Sequence, residues 1–266
     1  MNSPIGIFDS GIGGLTVARA IHKQLPYLPI IYFGDTAHLP YGDKSSESIQ
    51  NYAQRISSFL LKKRCRIIVI ACNTASAVAY EKVKRHIGMK AIVFNVIDPV
   101  VDYVACNFKR GRVGVIGTKG TIQSRIYVRK IAKVNSAIRV SSLATPLLAP
   151  MIEEGYFNNY ISRTIIHSYL SKKTLSGTRA LILGCTHYPL IKKEVEKFYG
   201  KGVDIIDSAD IVAAHIKDKI GNLYSFSKRK QPERHFFVSD YTEAFEKSAA
   251  IFFGKNIKLK KVNLWR

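Results

Sequence analysis

The chain has 266 residues, of which 47% are hydrophobic and 23% are charged, and this composition is typical of a globular protein with one or two domains. It contains no run of 18 or more apolar residues and no signal-like N-terminal segment, so we expect a cytoplasmic protein without a membrane span. The net charge of +22 can indicate a nucleic-acid partner, but no groove-reading motif accompanies it. A positive field also favours encounter with an acidic substrate.

Short apolar runs alternate with helical patterns along the first part of the chain, which predicts an α/β fold with a mainly parallel sheet. The predicted elements are strand 5–9, helix 13–26, strand 29–35, helix 45–63, strand 65–71, helix 76–88 and strand 91–98. Ser45 or Ser46 is placed to cap the second of these helices.

The same alternation starts again after residue 110. It predicts strand 111–117, a strand within 133–144, strand 179–184, helix 190–200 and strand 203–207. Near the end, "RHFFVSD" is typical of a strand and "YTEAFEKSAAIFFG" of a helix. We expect these last segments to pack back onto one of two halves, because residues 208–266 are too few for a third domain of usual size.

Three short stretches of the first series align with three of the second at nearly equal separations, which indicates two similar α/β halves. The alternative is that any two α/β domains repeat a strand–glycine–helix spacing. In open α/β sheets, ligands bind beyond the carboxyl ends of the strands. The residues at such predicted ends are Asp9, Asp35, Cys72, Thr118 and Cys185. Two facing halves would bring Cys72 and Cys185 to opposite walls of one cleft.

Each of these two cysteines ends a buried strand and precedes a helix, where thiol pKa values are commonly lowered. Cys65 and Cys106 are expected to be free cysteines that act as small buried hydrophobic residues. Three possible uses of Cys72 and Cys185 fit the sequence poorly. A nucleophile with His187 as its base would leave the second cysteine without a role. A metal site needs more ligands, and a redox pair usually has C-x-x-C spacing.

Two thiols on opposite sides of a carbon suit inversion at that carbon. One thiolate removes a proton from one face, and the opposite thiol delivers a proton to the other. The resulting carbanion needs preorganised donors. Candidate donors at predicted helix starts are Ser10, Asn73, Thr74, Thr118 and Thr186.

Five motifs together resemble the glutamate racemase family of the aspartate/glutamate racemase superfamily. They are "GIFDSGIGGLTV", "YFGDTAHLPYG", "ACNTASA", "VIGTKGTIQS" and "LGCTHYPL". The similarity runs from Ile5 to about Asp210, and the segment "RHFFVSDYTEAFEKSAAIFFG" resembles the closing segment of that family.

The resemblance implies two similar flavodoxin-like, doubly wound domains related by a pseudo-twofold axis, with the active site in the interdomain cleft. Residues 1–97 and 208–266 would form one domain, and residues 98–207 the other. The implied activity is interconversion of L- and D-glutamate without cofactor or metal, supplying D-glutamate for peptidoglycan synthesis. The family is commonly homodimeric.

The resemblance also implies roles for individual residues. Cys72 matches the cysteine that deprotonates D-glutamate, and Cys185 matches the one that deprotonates L-glutamate. Asp9 and His187 match side chains that assist the thiols. Glu153 matches a carboxylate near the second cysteine, with the adjacent Glu154 as an alternative. The positions that match substrate contacts are Asp9, Ser10, Tyr41, Gly42, Asn73, Thr74, Thr118, Thr121, Thr186 and His187.

Several alternatives stay open at this point. Asp9 could simply be a helix N-cap. The glycines around Gly13 could suggest phosphate binding, although the spacing of a nucleotide motif is absent. The same two cysteine motifs would serve an aspartate racemase equally well. A basic, non-catalytic nucleic-acid binder is the alternative from another class, and association with gyrase has been ascribed to some members of the family.

Overall fold

The computed structural model describes residues 3–221, 232–254 and 257–265. Its first half follows the predicted alternation: β1 has its predicted bounds, α3 begins earlier than predicted, and the other elements are somewhat shorter. The elements are β1 (Ile5–Asp9), α1 (Leu15–Gln24), β2 (Ile30–Gly34), α2 (Ser46–Lys62), β3 (Ile67–Ile70), α3 (Asn73–Ile87) and β4 (Ile92–Asn95).

The second half repeats this arrangement with additional helices. Its elements are α4 (Asp98–Asn107), β5 (Gly111–Gly117), α5 (Lys119–Gln123), α6 (Ile126–Val134), β6 (Ile138–Ala144), α7 (Leu148–Glu153), α8 (Tyr160–Leu170), β7 (Ala180–Gly184), α9 (Lys192–Tyr199) and β8 (Asp204–Asp207). The closing part of the chain contributes α10 (Ser208–Gly221), β9 (Arg234–Val238), α11 (Glu243–Phe253) and β10 (Leu259–Lys261).

The described strands form two sheets in which every pairing is parallel. The first sheet has the order β10-β9-β2-β1-β3-β4, and the second has the order β6-β5-β7-β8. The order β2-β1-β3-β4 in one sheet is therefore repeated by β6-β5-β7-β8 in the other. This confirms the predicted α/β architecture of two similar halves with parallel sheets.

The closing segment joins the first sheet. Strand β9 pairs with β2, and β10 pairs with β9. Residues 222–231, 255–256 and 266, which belong to the predicted stretch 208–266, lie outside the described residues. Helix α10 packs against α1 of the first half and also against α4. The end of the chain therefore completes the half with which the chain begins.

Helix α2 shows how the pattern of apolar residues produces this packing. Ile49, Ala53, Ile56 and Leu60 lie on one face and are fully or almost fully buried. The Ser45 hydroxyl caps the helix by accepting a hydrogen bond from the Ser48 N–H at 3.2 Å. Within the described residues, no helix is both long enough and apolar enough to cross a membrane.

The two sheets place their functional residues by the same rule. In the first sheet, β1 ends at Asp9 and its neighbour β3 ends just before Cys72. In the second sheet, β5 ends just before Thr118 and its neighbour β7 ends just before Cys185. Because parallel strands end at one edge, each sheet gathers its residues at its carboxyl end.

Candidate active site

The carboxyl ends of the two sheets contact each other directly. The Thr74 hydroxyl of the first half lies 2.9 Å from the Thr118 hydroxyl of the second. The Thr16 hydroxyl on α1 donates to the carbonyl oxygen of Thr186 at 2.9 Å. Nearly all of the residues that the sequence singled out therefore belong to one region between the halves.

Cys72 lies at the first turn of α3, and its sulfur caps that helix. The Ala75 N–H donates to the sulfur at 3.4 Å, and the thiol donates to the Ser10 hydroxyl oxygen at 3.7 Å. The helix therefore begins at Asn73 rather than at the predicted Ser76, because the sulfur satisfies a free N–H of the first turn.

The environment of Cys72 keeps its proton in place. Burial, with a smaller contribution from the charge of Asp9, raises the pKa of the thiol to about 12, against the hydrogen bonds with Ala75 and Ser10. A charge on Cys185 also raises this pKa, so the two sulfur atoms interact electrostatically. The sequence led us to expect a lowered pKa at a helix start. That expectation is wrong for Cys72, because loss of hydration outweighs the helix N–H.

Cys185 has a different set of neighbours. Its sulfur lies 3.5 Å from Nδ1 of His187, and Nε2 of the same ring lies 2.7 Å from a carboxylate oxygen of Glu153. All three groups thus form one hydrogen-bonded chain. Of the two adjacent glutamates, Glu153 contacts the histidine, whereas Glu154 is exposed.

The histidine in this chain favours its charged form. Burial lowers the pKa of His187, but the Cys185 sulfur and the Glu153 carboxylate outweigh burial and hold the pKa well above its ordinary value. An imidazolium donates from both nitrogens. It can therefore stabilise a negative charge on the Cys185 sulfur while Glu153 keeps the ring in place.

Asp9 is fully buried at the end of β1. One carboxylate oxygen accepts from the Gly11 N–H at 3.1 Å, and the other has no partner among the described residues. Burial raises the pKa of Asp9, against the opposing effect of the His187 charge. Helix α1 begins at Leu15 with Gly14 as its N-cap residue, so Asp9 is not the N-cap.

The glycine loop after β1 fits between these groups. A Cβ atom on Gly13 would overlap the His187 ring and the Thr186 hydroxyl, and a Cβ atom on Gly14 would overlap the Asp9 side chain. The close approach of Asp9 and His187 therefore explains the two glycines. This packing role is favoured over the phosphate-binding alternative.

Three threonine hydroxyls form a cluster where the halves meet. Thr74 lies 2.9 Å from Thr118 and 3.1 Å from Thr121, and Thr118 lies 3.0 Å from Thr121. Gly42 packs on the cluster, since a Cβ atom there would come 2.9 Å from the Thr118 Cβ. Such hydroxyls can donate to a carboxylate or an enolate oxygen.

A cavity of about 480 Å³ adjoins this cluster. Gly42, Thr74 and Gly120 line it, together with two lysines, Lys44 and Lys119. Lys119 also forms an ion pair of 3.5 Å with Asp43 across its mouth. The cationic lining suits an approaching anion, in line with the role that the sequence suggested for the positive charge of the chain.

Tyr41 occupies a different position from the other predicted contacts. Its hydroxyl donates to a carboxylate oxygen of Asp35 at 2.7 Å, and the Ser239 hydroxyl donates to the other Asp35 oxygen at 2.7 Å. The phenol is thus already paired within the protein. The neighbouring Gly42, rather than the Tyr41 hydroxyl, is the part of this turn that contacts the threonine cluster.

Two aromatic residues of the site were missed in the sequence. Phe252 on α11 packs edge-on against the His187 ring, with 5.2 Å between ring centroids. Tyr127 on α6 donates a hydrogen bond to Asn73 at 2.8 Å. Both contacts join residues far apart in the chain, which periodicity cannot reveal. For Phe252, the resemblance of the closing segment was the only signal.

Within the described residues, no group of three His, Cys, Asp or Glu side chains could hold a metal ion.

Comparisons with known proteins agree with this geometry. Residues 6–216 match the Asp/Glu/Hydantoin racemase family. A glutamate racemase from Geobacter metallireducens is 41% identical over 251 residues, which is 94% of this chain and 92% of that protein. A glutamate racemase from Chlorobaculum parvum is 41% identical over 258 residues, which is 96% of this chain and 94% of that protein.

The fold matches solved structures equally closely. The crystal structure of a glutamate racemase from Francisella tularensis in complex with D-glutamate superposes with a TM-score of 0.92 at 39% identity, covering 99% of this chain and 98% of that one. The chain is therefore a member of the Asp/Glu/Hydantoin racemase family and, within it, of the glutamate racemases, which are isomerases.

Proposed function

We propose that this chain interconverts L- and D-glutamate by passing protons at Cα between Cys72 and Cys185. The observation that carries the proposal is the pair of buried cysteines at matching strand ends, with the Cys72 sulfur capping α3 and the Cys185 sulfur 3.5 Å from Nδ1 of His187. General acid–base catalysis needs such a pair, with a base ready on one face and an acid on the other.

The steps follow from the two environments. The Cys185 thiolate removes the Cα proton of L-glutamate, with His187 and Glu153 supporting the charge that it carried. The electron pair left on Cα is delocalised into the carboxylate, and the Cys72 thiol delivers its proton to the opposite face. D-glutamate leaves a Cys185 thiol and a Cys72 thiolate. The reverse reaction restores the first state.

Donors around the substrate would stabilise the intermediate. The side-chain N–H groups of Asn73 have no partner among the described residues, and the threonine cluster of Thr74, Thr118 and Thr121 lies on the same helix start. Such preorganised donors act strongly in a site that excludes water. Ser10 and Thr186 would complete the set of contacts next to the two sulfurs.

The family resemblance supports the wider setting. We propose that the reaction needs no cofactor, that its D-glutamate supplies peptidoglycan synthesis, and that the protein works in the cytoplasm as a homodimer. We also propose the domain division 1–97 with 208–266 against 98–207. The sheet order supports this division, because β9 and β10 join the first sheet.

A chirality assay with purified protein tests the activity. L-glutamate and L-aspartate are incubated side by side without added cofactor and with EDTA. We expect glutamate to racemise, and aspartate to show a kcat/KM lower by about 10- to 200-fold, the usual effect of one methylene. Faster turnover of aspartate would identify the sister activity. No racemisation together with salt-sensitive DNA binding would favour the nucleic-acid alternative.

A further inference from the structure

Asn73 carries a buried donor for which the described residues supply no acceptor. It is the first residue of α3, next to Cys72, and only 3% of its surface is exposed. Its side-chain carbonyl accepts the hydrogen bond from the Tyr127 hydroxyl at 2.8 Å, whereas its amide nitrogen has no partner among the described residues. Because buried polar groups are almost always paired, this nitrogen indicates where a ligand supplies the acceptor.

The orientation of this amide depends on Tyr127. An asparagine side chain can rotate by half a turn and exchange its donor and acceptor ends. Tyr127 is 2% exposed, and burial raises the pKa of its phenol above the ordinary value, so the hydroxyl stays a donor at working pH. In the flipped orientation, the Tyr127 hydroxyl would lose its acceptor and the Asn73 carbonyl would face the ligand.

We propose that Tyr127 is a positioning residue that holds the Asn73 amide with its N–H groups directed at the substrate carboxylate. This inference rests on the proposed function. The two residues lie on different halves, Tyr127 on α6 and Asn73 on α3. The Tyr127 phenol, on the second half, thus determines which end of the Asn73 amide, on the first half, faces the substrate. A carboxylate would be repelled by the carbonyl end of the amide and is bound by its N–H end.

Tyr127→Phe tests the inference because it keeps the ring and removes only the hydroxyl. We expect the KM for glutamate to rise about tenfold for both enantiomers, equivalent to about 1.4 kcal/mol of binding, with kcat little changed. Tyr199→Phe is the matched control, since that hydroxyl donates to the Leu170 carbonyl oxygen at 3.4 Å and joins α9 to α8 rather than to Asn73. It should leave KM unchanged.

A double-mutant cycle separates positioning from a general structural role. If Tyr127 acts through Asn73, then adding Tyr127→Phe to Asn73→Ala should change KM no further. Additive effects would overturn the inference, as would a wild-type KM in Tyr127→Phe. Binding of D-glutamate, measured by calorimetry, replaces KM where turnover in the Asn73→Ala background is too slow.

A readout without turnover distinguishes failure of this inference from failure of the proposed function. In the ligand-free protein, the side-chain amide resonances of Asn73 are assigned by their loss in Asn73→Ala. We expect one set in the wild type and two sets, or broadened signals, in Tyr127→Phe. A single unchanged set would sink the inference even if glutamate racemises. A wild-type protein that does not racemise glutamate would sink the proposed function instead.

Discussion

The surroundings of Cys72 and Cys185 differ although both cysteines follow a central strand of a similar sheet. Cys72 is capped by an N–H and a hydroxyl beside the buried carboxyl of Asp9. Cys185 faces an imidazole held by Glu153. The repeated fold therefore explains the symmetric placement of the sulfurs, and the residues that do not repeat explain why their surroundings differ.

This asymmetry restricts what kinetics can reveal. L- and D-glutamate are mirror images with equal free energy, so kcat/KM must be the same in both directions for every variant. A change on one side of the site can therefore make the two directions differ only through parallel changes of kcat and KM, or through the chemistry of each thiol. The following experiments use these differences, from the largest expected effect to the smallest.

Replacing either sulfur should have the largest effect. Cys72→Ser and Cys185→Ser should each lower kcat by about 10²- to 10⁴-fold, because a hydroxyl is a poor substitute for the acid or base. Circular dichroism at 220 nm follows loss of optical activity. Cys106→Ser, at an exposed thiol, is the control and should be fully active. Near-wild-type turnover in either site variant would rule out the two-thiol scheme.

Alkylation measures the protonation of the two thiols in the ligand-free protein. With a pKa of about 12, only about one Cys72 in 10⁴ is a thiolate at pH 8. We expect iodoacetamide to modify Cys185 at least about 100-fold faster than Cys72, because the thiolate is the reactive form and Nδ1 of His187, which favours its charged form, lies 3.5 Å from the Cys185 sulfur. Peptide mapping by mass spectrometry gives both rates. Raising the pH toward 12 should accelerate modification of Cys72. Equal rates at pH 8 would contradict the asymmetry.

Glu153→Gln removes the carboxylate that supports His187. Loss of this negative charge should lower the pKa of His187, so the imidazolium is lost at lower pH. The alkaline limb of kcat/KM against pH should therefore move to lower pH. A shift of about one pH unit would lower kcat/KM about tenfold at a fixed pH on that limb. The adjacent exposed Glu154→Gln is the control. An unchanged pH profile in Glu153→Gln would show that Glu153 does not support the charged form of His187 beside Cys185.

Phe252→Leu should have the smallest effect. It removes the edge-on contact with the His187 ring, and such contacts contribute about 0.5–1.5 kcal/mol. We expect a loss of kcat/KM of about 2- to 10-fold with a small decrease in Tm. Phe253→Leu is the matched control, because its ring packs on Phe236 instead. It should lower Tm similarly and leave kcat/KM intact. Equal kinetic losses in both variants would mean that Phe252 acts only through stability.

Local pattern predicted the strands and the groups that stand at their ends. Asp9, Cys72, Thr118 and Cys185 could be placed because a parallel sheet gathers strand ends at one edge. The pKa of Cys72 could not be predicted, because burial by both halves outweighs a local helix effect. Likewise, Asp35 accepts from the Tyr41 hydroxyl and from Ser239, and the Ser239 contact depends on a strand that enters the sheet from the end of the chain.

The late position of β9 in the chain has a consequence for folding during synthesis on the ribosome. Strand β9 completes the first sheet beside β2, and Ser239 just after it holds Asp35, which in turn holds the Tyr41 turn. Helix α11 then seats Phe252 against His187. The nascent chain can fold much of its early half as it emerges, but it cannot assemble a finished catalytic centre until β9 and α11 have been synthesised.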